Sequence, residues 1–298
     1  MNDSSKKHIQ NLLVSWLGKS DKHTASELAK KTEVSTSYIS QVKNGKWDDQ
    51  YPSVAIFQKL QNFLGDSHHI DSENFLNIQG ILGKVMHFKS RGAINGGTSG
   101  EGKTYSIRKF CEVTPGAYHI ICRKSMTSKG LLQTVAKALK LDSNRLTRFS
   151  LEEQIADYLV RRKGLLIFDE CEYLKGKDAF DSIKTLCDLV EGKAGIVVCG
   201  LGLQNIVNTL ASRGKVGMPQ FKRRFDWKWL HTAPIKTKEV REFCKVSGIT
   251  DKHAVAWFVD KVNDYDTLVT LVKDALQLAK ALKISVISVD FLNEYFQN

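Results

Sequence analysis

A chain of 298 residues has room for two or three domains, and 42% apolar with 26% charged side chains is the composition of a soluble globular protein. Lys and Arg total 44 against 32 for Asp and Glu, a formal charge of +12 that fits a polyanionic partner, because each neutralised phosphate releases counterions, and equally a merely basic soluble protein. No apolar run approaches the roughly 18 residues a membrane span requires, and the start Met-Asn-Asp-Ser-Ser-Lys-Lys lacks a signal-peptide core, so a cytoplasmic protein with no membrane partner is expected. The six cysteines (111, 122, 171, 187, 199 and 244) show no C-x-x-C pair and are expected to be buried, reduced thiols.

Residues 1–64 read as short helices with tight turns and form the first expected domain. Between Thr24 and Trp47, Leu28, Ala29, Val34, Ile39 and Val42 take the apolar places of a helix-turn-helix. Ser35 is expected to cap a recognition helix whose outward residues are Thr36, Ser37, Tyr38, Gln41 and Lys43, types that hydrogen-bond bases and phosphates. Glu33 stands where such a turn often has glycine. A helical hairpin used for protein contacts is the bland alternative. The polar stretch Asp66–Glu73 marks a linker over 65–77.

From 78 to 235 apolar strands alternate with amphipathic helices, the pattern of a parallel sheet with helices on its faces. Strands are expected at Ala93–Asn95, Ala117–Cys122, Leu165–Phe168 and Ile196–Cys199, with helices at Leu131–Leu141 and Leu151–Arg162. Ser150 and Glu153 read as a capping box for the second helix. Residues 236–298 form a small all-α domain, with Val255, Phe258, Val259 and Val262 on one face and Leu268, Leu271, Val272 and Leu276 on another.

Gly97, Thr98, Ser99, Gly100, Glu101, Gly102, Lys103 and Thr104 fit the phosphate-loop pattern G-x-x-x-x-G-K-[ST] at every fixed position, with Tyr105 opening the next helix. Glycines let the backbone curl so that its N–H groups point at phosphate oxygens. Lys103 is expected on the β- and γ-phosphates of ATP and Thr104 on Mg²⁺. The strand Leu165–Phe168 ends in Asp169 and Glu170, the first suited to hold the metal and the second to polarise the attacking water. Arg223 and Arg224, in Phe221-Lys-Arg-Arg-Phe225, are candidates for an arginine that reaches a neighbour's γ-phosphate; a basic surface helix is the alternative. Arg123, Lys124, Lys129, Arg145 and Arg148 are candidate phosphate contacts to DNA.

The order of these parts, together with Lys163-Gly-Leu-Leu-Ile-Phe-Asp-Glu-Cys-Glu-Tyr-Leu174 and Gly195-Ile-Val-Val-Cys-Gly200, resembles the Mu B-type DNA transposition proteins of phage, AAA+ helper ATPases, through nearly the whole chain. The resemblance implies an ATPase using ATP and Mg²⁺, housed in a bacterial host cytoplasm. It implies a homo-oligomer that assembles as an ATP-dependent helical filament on double-stranded DNA with little sequence preference. It implies delivery of that target DNA to a partner transposase, which the filament stimulates. Two departures imply slow hydrolysis, or hydrolysis completed by a neighbour or by DNA. Leu201 follows Gly200 where AAA+ proteins usually carry a polar residue, and Tyr265–Val269 contains no arginine. An ATP-gated transcriptional regulator and a helicase loader share the same parts and stand as alternatives.

Overall fold

The computed structural model describes residues 3–18, 24–48, 51–64, 70–174, 177–226 and 228–296. It divides into two compact units: Ser72–Ile235 with Asn263–Thr267, and Met1–Asp71 with Lys236–Val262 and Leu268–Asn298.

The N-terminal helices are α1 (Asp3–Leu17), α2 (Ala25–Thr32), α3 (Thr36–Lys43) and α4 (Val54–Leu64). Ile9, Leu13, Leu28, Val34, Ile39, Val42, Phe57 and Leu60 form their common buried cluster, and Ala29 packs partly buried against it. Thr24 starts α2 by accepting from the Glu27 N–H at 3.2 Å, and Ser35 starts α3 by accepting from the Tyr38 N–H at 3.4 Å. Between them Glu33 ends α2 at φ 56°, the left-handed conformation that glycine adopts more cheaply. Residues 65–69 of the expected linker lie outside the described residues. Beyond them the chain is helical from Glu73, inside the stretch expected to be linker, because Ser72 caps that helix on the Phe75 N–H at 3.2 Å.

The second unit follows the order α5 (Glu73–Phe88), β1 (Arg91–Gly96), α6 (Lys103–Val113), β2 (Ala117–Ile121), α7 (Ser128–Ala138), α8 (Arg148–Arg162), β3 (Leu165–Asp169), a 3-10 turn (Cys171–Tyr173), α9 (Lys177–Leu189), β4 (Gly195–Leu201), α10 (Leu203–Ser212), α11 (Met218–Phe225) and β5 (Trp229–His231). All strand pairs are parallel, in the order β2-β3-β4-β1-β5. Every residue of β3 is buried, as expected for a central strand covered on both faces. Two hydrophobic clusters, one containing Phe168, Leu166 and Val198 and the other Ile167, Leu165 and Val197, occupy the two faces, as the alternation of side chains requires. This is an α/β parallel sheet with flanking helices, joined in one chain to helical regions at either end.

One expectation is overturned, and one strand of the sheet has no counterpart in the sequence reading. Helix α8 starts at Arg148, and its cap is Thr147, whose hydroxyl accepts from the Ser150 N–H at 3.1 Å; Ser150 lies inside the helix and Glu153 closes no capping box. Strand β5 was not expected, and its three residues are too few to show a period; Lys228 O and the β1 register hold it in place.

The C-terminal helices are α12 (Thr237–Val246), α13 (Lys252–Lys261), α14 (Tyr265–Ala281) and α15 (Val289–Phe296). The buried face of α13 is Ala254, Trp257 and Phe258, so Val255 and Val259 are only half-buried. On α14 it is Leu268, Val272, Ala275 and Ala279, leaving Leu271 and Leu276 at the margin. Small alanines take the close positions that a search for large apolar residues passes over.

Candidate nucleotide-binding site

The order of the strands decides where chemistry gathers. In a parallel sheet every strand ends on the same edge, where loops can surround a ligand. Here β1 ends in the phosphate loop, β3 ends in Asp169, and β4 runs between them. The loop curls through Gly100 at φ +75° and Gly102 at φ +78°, and α6 begins at Lys103, so its free N–H groups open toward the loop. At Gly96 the end of the Lys103 side chain lies against the backbone, so a Cβ there would displace that side chain.

Lys103 Nζ donates to Thr98 O at 3.0 Å and lies 3.3 Å from Glu101 Oε2. Thr104 Oγ1 donates to Asp169 Oδ2 at 2.8 Å, so the two candidate metal-holding oxygens are adjacent although 65 residues apart. Asp169 is 1% exposed. Burial raises its pKa, but bonds from His119 and Thr104 outweigh this and hold it below the ordinary carboxylate value. An ionised, buried carboxylate beside a hydroxyl is the donor set a hard divalent cation prefers, and these two residues fit Mg²⁺. Glu170 stands next to them at φ 57°, left-handed for a non-glycine residue, with its N–H on Asp169 Oδ1 at 2.9 Å. Strain of this kind gathers at functional sites. Tyr105 is half-buried, its ring 6.3 Å from that of Phe75 and within 6 Å of the Arg108 and Lys109 cations.

Several polar groups at this edge carried no motif. His119 of β2 meets Asp169 Oδ2 at 3.0 Å through Nε2, which must carry the proton if the carboxylate is ionised. Its one sequence signal is a histidine inside the apolar strand Ala117–Ile121. Asn95 Oδ1 accepts the Gln204 N–H at 2.8 Å and so starts α10 from a neighbouring strand. Glu172 Oε2 is buried without a hydrogen-bond partner and lies against Gly200. Burial first, then the charges of Asp169 and Glu170, push its pKa up. Thus a carboxylate fills the space beside the strand end where Leu201 turns outward, 37% exposed.

The two candidate arginines differ. Arg224 is tied to Asp188 and to Gln220 O, whereas Arg223 is exposed. In the N-terminal region Thr36, Ser37 and Lys43 are exposed, Ser35 is occupied as the cap, and Tyr38 and Gln41 are half-buried, with Tyr38 packed on the hydrophobic cluster. Arg123, Lys124, Lys129 and Arg145 are exposed, and Arg148 pairs with Glu152 at 2.9 Å. The cysteines are free thiols, five of them buried. Among the described residues no helix is long and apolar enough to cross a membrane.

Comparison with known proteins bears on the fold. No curated protein matches the sequence. Among solved structures, the fold is similar to the Orc1 protein of Aeropyrum pernix in complex with DNA, at TM-score 0.53 and 16% identity over 74% of this chain and 63% of that one. It is also similar to a Walker-type ATPase of Pyrococcus abyssi, at TM-score 0.51 and 14% identity over 70% and 69%. The chain thus spans less than two thirds of the length of the Orc1 protein. Residues 94–210 match the family model of the AAA domain, and the unit around them has the AAA+ P-loop fold.

Proposed function

We propose that the chain is an ATP-dependent, largely sequence-nonspecific DNA-binding ATPase that assembles on target DNA, delivers it to a partner transposase and stimulates that enzyme. The observation that carries the nucleotide half of this reading is the Thr104–Asp169 hydrogen bond at 2.8 Å, between residues that directly follow Lys103 and precede Glu170 in the chain. Lys103 and the loop N–H groups would bind the phosphates, and Thr104 and Asp169 would hold Mg²⁺. The bound metal would neutralise charge on the β- and γ-phosphate oxygens. Glu170 would accept the proton of the attacking water, and Arg223, the exposed arginine of the pair, would supply a neighbour's γ-phosphate with positive charge. The DNA half rests on the formal charge of +12, on the capped helix α3 and on similarity to a protein solved with DNA.

Two variants at one site test the scheme. Lys103→Ala removes the cation and should bind ATP poorly and fail to assemble on DNA. Glu170→Gln keeps Asp169 and the shape of the site, and should bind ATP, release phosphate at least about 10²-fold more slowly and remain longer on DNA. Nucleotide affinity, phosphate release and DNA residence time are measured beside the parent. If Lys103→Ala assembles on DNA as well as the parent does, ATP is not the switch. The ordered α3 favours one second reading, an ATP-gated transcriptional regulator. A footprint separates the two, since diffuse ATP-dependent protection fits assembly and one short protected operator fits the regulator.

A further inference from the structure

In the phosphate-loop pattern position 101 is unconstrained, yet Glu101 is 2% exposed. Its carboxylate faces into the loop. Oε2 accepts from the Gly97 N–H at 3.1 Å and from the Thr232 hydroxyl; Oε1 accepts from the Thr98 N–H at 2.9 Å and the Thr98 hydroxyl at 3.1 Å. The same carboxylate lies 3.3 Å from Lys103 Nζ. Behind it, Asn74, 4% exposed, donates to Glu101 O at 3.1 Å and to Ala233 O at 2.7 Å, and accepts from the Ala233 N–H at 3.0 Å. Thr232 and Ala233 directly follow β5, and Asn74 is in the first turn of α5. The loop is thereby fastened to both ends of the Ser72–Ile235 stretch.

An isolated buried carboxylate is costly, and this one is retained with four donors and a cation around it. Burial raises its pKa, but the bonds from Thr232 and Thr98 and the charge of Lys103 bring it below the ordinary value. The geometry points to Glu101, held by Thr232, as a positioning residue of the phosphate site: an internal anion that sets the loop's first turn and orients the Lys103 ammonium before nucleotide arrives. Its carboxylate acts through Lys103 and the loop backbone and touches no phosphate itself. This inference rests on the nucleotide-binding reading above.

The test uses the full chain with Glu101→Ala, Thr232→Val and the double variant, measuring ATP affinity calorimetrically at a temperature where each is folded, with thermal midpoints recorded alongside. Thr232→Val keeps the shape of the side chain and removes one donor, so it should weaken ATP binding about three- to tenfold, and Glu101→Ala at least about tenfold. Because Thr232 acts through its hydrogen bond to Glu101, the double variant should bind no more weakly than Glu101→Ala. A purely structural brace would lower the midpoint and leave the affinity of the folded protein within about twofold of the parent, and that result overturns the inference, as do additive losses. If Glu101→Ala does not fold, Thr232→Val decides alone. Should the parent itself fail to bind ATP, the nucleotide-binding reading falls and this inference falls with it.

Discussion

Glu101 and Arg223 carry predictions at the level of single residues. The folded-state pKa of Glu101 lies below the ordinary glutamate value. A depressed carboxylate contributes stability that is present above the unfolded pKa and lost as pH falls through the lower folded one. Melting of the parent should therefore steepen in its pH dependence below about pH 4.5, the region where unfolded glutamates titrate. Glu101→Gln should show a shallower dependence over that window; equal slopes in calorimetric melts would contradict the assignment. At Arg223 the expectation is kinetic. Arg223→Ala should leave ATP affinity unchanged and lower phosphate release by the DNA-bound assembly on the order of 10³-fold. Arg224→Ala should act on stability, because that guanidinium is engaged by Asp188. Reversed phenotypes in phosphate-release and melting assays would exchange the two roles.

At the level of elements, the helix-turn-helix candidate rests on two local devices with opposite signs. Ser35 caps α3, and Ser35→Ala should destabilise the N-terminal helices by about 1 kcal/mol. Glu33 sits at φ 56°, a conformation that costs a non-glycine residue roughly 1 kcal/mol or more. Its exposed pair with Lys59, at 3.3 Å, offsets little of this. Glu33→Gly should therefore raise stability where Ser35→Ala lowers it, a contrast that denaturant titration followed by Trp fluorescence would read. Elements with strong periods were legible in the sequence to within a few residues, as β3 and α8 were, although the cap of α8 is Thr147 and not Ser150. Strand β5 and the buried alanines of α14 were not, because short strands and small residues owe their places to neighbours rather than to their own pattern.

For the molecule as a whole, the +12 charge should make DNA binding steeply salt-dependent. Substituting the exposed Arg123 and Lys124 by alanine should reduce the slope of log affinity against log salt by about 0.9 for each lost phosphate contact, alike on unrelated duplexes. Substituting the exposed Thr36 and Ser37 should leave the slope unchanged and remove whatever preference among duplexes exists. A slope unaffected by the first pair would exclude that edge from the DNA interface.

The sequence by itself was enough to read the phosphate loop, the acidic strand end and the alternation of strand and helix. Those features depend on local backbone needs and fixed spacing, which a linear string records. Tertiary structure alone decided that Thr104 meets Asp169, that His119 reaches the same carboxylate, and that Thr232 and Asn74 close around Glu101. Each of these contacts joins elements distant in the chain, and their partners follow from the strand order β2-β3-β4-β1-β5. That order is set by how helices and strands bury their apolar faces together, so no single segment carries it.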